Sequence, residues 1–286
     1  MTLDALFIQP FVETAMLQKA LVACIVLSVG GVPLGFFVTQ RRIALASDAM
    51  SHAILPGVAV AFLISGFSVW PMTFGGLAAG ILIALFSVFL GRYTKIKEDA
   101  VFTLLFLLSL AVGVVLLSLK GGEEDIIHVL FGDTLAIDKE KLIFITSVTV
   151  LTLFSLAAIY RGLVLDCFDP DFLMASGRGK YVRPVFFVLF IFNLVAAFQA
   201  LGTLMALGLM LLPAIASVFW THRVGAAIVL SVIIAVISSY AGLLISYHAN
   251  TPSGPTVVLV CGLFCLGSVL FGRRGSAVSF VRMKNF

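Results

Sequence analysis

The chain has 286 residues, of which 61% are hydrophobic and only 11% charged, and its mean hydropathy is +1.18; a soluble domain carries about 25% charged residues. This composition excludes a soluble enzyme and implies an all-α, polytopic integral membrane protein, with one membrane domain spanning 1–286 and no polar stretch long enough for a separate soluble module. The net charge of +4 is modest; it gives no reason to expect nucleic acid as a partner and gains meaning only from where the charges fall.

The N-terminus lacks a basic n-region and carries Asp4 and Glu13 ahead of the first long apolar run, so the first span is expected to be retained rather than cleaved. Runs able to cross about 30 Å of hydrocarbon lie near 16–38, 43–65, 70–91, 99–119, 142–160, 184–200, 202–220, 224–246 and 255–272. The sixth and seventh are parted only around Gln199 to Gly202 and could form one broken helix, so eight to nine spans are expected. Cys24, Cys167, Cys261 and Cys265 lie in or beside apolar runs without metal-site or disulfide spacing, and read as small packing residues.

With nine spans and the C-terminus inside, the cytoplasmic side receives all the lysines and arginines except Lys19, Lys120, Lys139 and Lys141, which is 14 of 18. The outer side also holds Glu123, Glu124 and Asp125, and the asymmetry obeys the positive-inside rule.

In this frame the second span enters from the cytoplasm after Arg42, and its stretch Asp48-Ala-Met-Ser-His52-Ala-Ile-Leu-Pro56-Gly57 carries the chemistry. A spacing of four turns two helical side chains to within about 40° of each other, so Asp48 and His52 can face one cation. His52 falls about 15 Å into the membrane, near its midplane. An acid there costs about 2.5–3.5 kcal/mol on the insertion scale, which an idle residue would not justify. Pro56 lacks an N–H and crowds the carbonyl of His52, so a freed oxygen is expected beside the imidazole, with the Ser47 and Ser51 hydroxyls near it. Imidazole with carboxylate suits zinc, manganese or iron rather than a soft monovalent ion. The alternative is structural: Asp48 paired with Arg41 or Arg42 at the rim, and His52 hydrogen-bonded to a neighbouring helix. Two ligands on one helix make half a site, so a second helix or a dimer axis would have to complete it.

His128, three residues after Asp125 in an outer loop, is a second candidate ligand; His248 and His222 read as loop and helix-end residues. The longest cytoplasmic loop, 161–183, contains Asp169 followed by Pro170, an N-cap with proline at the first helical position, and Gly177 to stop the turn. A short helix across the cytoplasmic face is expected, with Phe172, Leu173 and Met174 suited to a partner's groove. No phosphate-binding loop, no His-Glu-x-x-His and no Gly-x-Ser-x-Gly occurs, which argues against an ATPase, a metalloprotease or a serine hydrolase.

These segments resemble the membrane permease of the ABC-type zinc and manganese importers, the ABC-3 family. The resemblance rests on Asp48 to Gly57, on Asp125 to Gly132, on Phe168 to Gly177, on Leu201 to Thr203 with Leu212, Pro213 and Ala214, and on Pro252 to Pro255, all in order along the chain. One departure is Ser176-Gly177-Arg-Gly-Lys, where apolar residues would be expected after the glycine. The resemblance implies a type II ABC importer-like permease in the bacterial cytoplasmic (inner) membrane, working as a homodimer with two cytoplasmic ATPase subunits that bind ATP and an extracytoplasmic metal-binding protein. It implies no cofactor in this chain, Asp48 and His52 as the intramembrane metal ligands with His128 as an outer-surface residue, and Asp169, Pro170, Asp171, Phe172, Ala175 and Gly177 in the ATPase-coupling helix. Zinc is favoured over manganese as cargo. Both ligands must be deprotonated, so uptake is expected to fall as pH drops through the histidine pKa. The rival reading is an ion- or proton-coupled secondary transporter with Asp48 and His52 as a relay.

Overall fold

The computed structural model describes residues 9–41, 43–66, 68–93, 98–120 and 137–273. These form α1 (Gln9–Glu13), α2 (Ala15–Gln40), α3 (Ala44–Ala53), α4 (Leu55–Ser65), α5 (Val69–Tyr93), α6 (Glu98–Lys120), α7 (Lys139–Phe168), α8 (Pro170–Ala175), α9 (Gly179–Leu201), α10 (Thr203–Val218), α11 (Val224–Ala249) and α12 (Ser253–Phe271). Every apolar run of the sequence becomes helix, and the described residues contain no strand. Among the described residues seven segments are long and apolar enough to cross a membrane; α6 is a further apolar helix of 23 residues and α10 one of 16.

Two boundaries differ from expectation. The second span is not one helix but two, α3 and α4, broken at Ile54. The fifth does not stop near 160: α7 runs 30 residues to Phe168. Its extra turns keep a buried face through Leu163 and Asp166, and the carboxylate that seemed to belong in a loop is neutralised there by two arginines.

Between helices in lipid, close backbone approach and interhelical hydrogen bonds do the work that hydrophobic collapse does in water. α2 is the central post, with 72% of its most apolar window buried against 22% for α5. A Cβ on Gly35 would overlap the Met210 carbonyl of α10, and one on Gly30 would stand 2.8 Å from Thr149 Oγ1 of α7. Thr149 donates across the same seam to the Val26 carbonyl at 3.2 Å. Asn193 of α9 donates to Thr152 Oγ1 of α7 at 2.6 Å, and Gln199 to Thr73 Oγ1 of α5 at 2.9 Å.

α9 and α10 are parted by one residue, Gly202, at φ 81° and ψ 166°, a conformation that only glycine adopts readily, so the sixth and seventh runs are two helices. The interior divides into two main apolar clusters. One gathers Phe37, Ile54, Leu173 and Phe186 and reaches the end of the bundle rich in arginine; the other gathers Leu27, Ile145, Leu201 and Val257 toward the opposite end.

Candidate functional site

Four polar side chains of α3 follow one another at helical spacing. Ser47 and Ser51 are buried, Asp48 is exposed and His52 is half-buried. The Ser51 hydroxyl is spent on the Asp48 backbone carbonyl at 2.8 Å. The His52 ring stands edge-on to Phe106 of α6, centroids 5.1 Å apart. Its Nδ1 is buried without a hydrogen-bond partner among the described residues. An imidazole nitrogen in that position has a lone pair or a proton free for a further partner.

The break after α3 sets this geometry. Pro56 is the second residue of α4. The chain tightens around it so that Gly57 N donates to the Ile54 carbonyl at 3.1 Å and Val58 N donates to the same oxygen at 3.2 Å. Two oxygens therefore lack the regular i+4 donor: that of His52, because Pro56 has no N–H, which is left with Ile54 N two residues on, and that of Ala53, which accepts from Ser109 Oγ of α6 at 3.1 Å. Gly57 is required for contact with α5, since a Cβ there would overlap the Gly75 carbonyl, and a Cβ on Gly75 would overlap that of Gly57. Leu55 fills the space beside Gly113 of α6. The break is thus wedged between α5 and α6, with Asp48 and His52 on its N-terminal side.

The rim alternative for Asp48 does not hold for Arg41. Arg41 caps the C-terminus of α2, and its Nη2 pairs with Asp166 Oδ2 of α7. Asp166 Oδ1 accepts from Arg183 Nε of α9 at 2.9 Å, with Arg183 Nη2 also at 2.9 Å. The Arg41 guanidinium lies 4.5 Å above the centre of the Phe186 ring. Burial lowers the Arg41 pKa, and the Asp166 charge opposes that effect. Arg42 lies outside the described residues. Sequence reasoning missed this triad because its members are 125 and 17 residues apart; the one signal was a lone carboxylate in the apolar stretch Leu163-Val-Leu-Asp166-Cys-Phe168.

Immediately after Asp166 comes the short helix that the sequence pointed to. Asp169 Oδ1 accepts from Phe172 N at 2.9 Å, and Pro170 opens α8. Gly177 ends the turn at φ 74°, so the departure after Ser176 does not alter the stop. Leu173 is fully buried, while Phe168, Phe172 and Met174 remain exposed at 73%, 59% and 47%, flanked by exposed Asp171 and Ala175. The capped, anchored helix thus carries an exposed apolar rim.

Of the other candidates, Asp125 and His128 lie outside the described residues. His222 is exposed in the α10–α11 turn, and His248 is exposed in the last turn of α11, 5.4 Å from the Tyr247 ring. The cysteines are unbridged, and Cys24, Cys261 and Cys265 are buried as packing residues. Among the described residues no three His, Cys, Asp or Glu side chains converge.

The described family ABC 3 transport family matches residues 13–272. The manganese transport system membrane protein MntC of Halalkalibacterium halodurans is 30% identical over 283 residues, which cover 97% of this chain and 95% of that protein. The chelated iron transport system membrane protein YfeD of Yersinia pestis is 28% identical, with 94% and 89% covered. Among solved structures, PsaBC from Streptococcus pneumoniae in complex with Fab superposes with a TM-score of 0.88 at 27% identity, covering 99% of this chain and 100% of that one.

Proposed function

We propose, from the premise that this chain belongs to the ABC 3 transport family, that manganese(II) passes through it along α3, held in transit by Asp48 and His52. The protein is a metal-type ABC importer permease, a multi-pass protein of the bacterial inner membrane, and ATP hydrolysis falls to partner subunits. The observation that carries the reading is the pair itself: an exposed carboxylate and a half-buried imidazole whose Nδ1 has no partner among the described residues, on one face of one helix. Those donors are hard to borderline oxygen and nitrogen, suited to manganese and iron as well as zinc. The earlier lean to zinc gives way to manganese because the relatives above are named for manganese and iron transport.

Two ligands bind weakly enough to release, as a transport site requires, and a second copy of the chain across a two-fold axis would bring a second pair. α8 docks in the ATPase partner through Phe172 and Met174, with Asp169, Pro170 and Gly177 fixing its ends and Asp171 and Ala175 on its exposed surface. An extracytoplasmic binding protein delivers the metal to the opposite end. Closure of the ATPase pair on ATP moves α8 and switches the side to which α3 opens.

The test is uptake of labelled manganese, zinc and iron(II) into liposomes holding the permease with its ATPase and binding protein. ATP-dependent manganese uptake, with zinc a weak competitor, is the expected result. Zinc uptake of higher kcat/KM would overturn the metal while leaving the path; no ATP-dependent uptake of any of the three would overturn both.

A further inference from the structure

The buried charges at the arginine-rich end are not used by a metal path, yet they stand between the two parts that such a path must connect. We propose that Asp166, with Arg41 and Arg183, is the mechanical joint that transmits movement of α8 to α3; this rests on reading α8 as the ATPase-docking helix and Asp48 with His52 as the metal pair.

Placement is the first argument. Asp166 precedes Asp169, the N-cap of α8, by three residues, and Arg183 lies in the first turns of α9, which begins just after α8. The carboxylate therefore brackets α8 from both sides. Arg41 closes α2, and Ile43, the N-cap of α3, follows two residues later. α8 itself packs chiefly on α7 and α9, so the Arg41–Asp166 bond ties its frame to the α2–α3 corner.

Geometry is the second. Each carboxylate oxygen is assigned to a different helix: Oδ1 to Arg183 and Oδ2 to Arg41. The Asp166 side chain is 4% exposed and that of Arg41 10%. Charge-assisted bonds to a planar guanidinium are short and directional, so they carry displacement where apolar surfaces would slide. Arg41 is held additionally over the Phe186 ring, in the apolar cluster that includes Leu173 of α8 and Ile54 at the α3–α4 break.

Stability is a poor account of the triad. Buried ion pairs repay their desolvation cost only with excellent, fully satisfied geometry, and well-packed apolar residues often replace them without loss. Here Arg41 Nε is buried with no partner among the described residues.

The experiment compares wild type with the double variant Arg41→Met/Asp166→Leu in the reconstituted complex of permease, ATPase and binding protein. The variant removes both buried charges and leaves Arg183, whose side chain is 38% exposed, able to reach water. The readout is manganese moved per ATP hydrolysed, which a merely structural role would not change once the complex has assembled. The joint predicts an assembled complex with ATPase activity close to wild type and a transport ratio lower by at least about fivefold, the lower end of typical coupling between sites. An unchanged ratio overturns it. Should the double variant fail to assemble, Arg41→Lys, which keeps the charge and loses the fork, decides by the same ratio: lowered supports the joint, unchanged overturns it. Two controls separate failure of the underlying readings: Phe172→Ala that still retains the ATPase at wild-type ratio refutes docking through α8, and Asp48→Asn that still transports refutes the metal pair, whatever the joint variants do.

Discussion

Asp48 and Asp166 are both carboxylates in helices built mostly of apolar residues, and their surroundings are opposite. Asp166 has each oxygen committed to an arginine and almost no exposed surface. Asp48 is exposed on the single chain, one helical turn from an imidazole whose Nδ1 has no partner among the described residues. A carboxylate whose lone pairs are already taken by guanidinium donors cannot ligate a cation; one left open beside an imidazole can. The difference teaches that an acid in an apolar helix of this chain is not by itself a sign of transport, and that its partners separate a carboxylate already committed from one still open.

The comparison breaks most visibly at His52. His52→Ala is expected to reduce labelled manganese uptake to background while assembly and ATP hydrolysis persist. Acidification from pH 7.5 to 5.5 should lower wild-type uptake because an imidazolium has no lone pair for a metal; a flat profile with the ATPase unaffected would remove His52 from the ligand set. Next comes the closed acid. Asp166→Leu alone leaves two arginines unpaired, one of them buried, and should cost about 3–5 kcal/mol, read as a lower Tm of the detergent-purified permease. Asp48→Leu should stay within about 0.5 kcal/mol, and equal losses at the two positions would erase the contrast.

The frame that presents Asp48 and His52 gives smaller effects. Gly57→Ala forces α4 from the Gly75 carbonyl of α5 and should cost about 1–3 kcal/mol, with uptake falling along with Tm. Ser109→Ala leaves the Ala53 carbonyl without its donor, a loss of about 1 kcal/mol that a thermal shift can measure.

How much of this was legible in the sequence depended on how local the cause was. The nine apolar runs and the α8 caps were readable because they follow from hydropathy and from residues three to eight apart: Asp169 Oδ1 accepts from Phe172 N, and Gly177 takes the positive φ that ends the turn. Pro56 was readable as freeing the His52 carbonyl, but not as a break of the second span into two helices at Ile54. The proline rule considers only residue i−4; the chain answered by tightening onto Ile54, which deprived Ala53 of its helical donor as well. The length of α7 and the fate of Arg41 were not readable, because both depend on Asp166 meeting residues from α2 and α9. The Asp48 and His52 pair was visible as spacing, whereas the exposure of Asp48 and the unpartnered His52 Nδ1 among the described residues required the neighbours to be placed.

The most direct test of the metal path is Asp48→Asn in the reconstituted complex, with ATP hydrolysis and labelled manganese uptake measured on the same liposomes. Asparagine keeps the shape and removes the charge at an exposed position, so folding and ATPase docking should be untouched. Background uptake with assembly and ATPase activity intact is the predicted result; uptake at the wild-type rate would contradict the account and make Asp48 a rim charge.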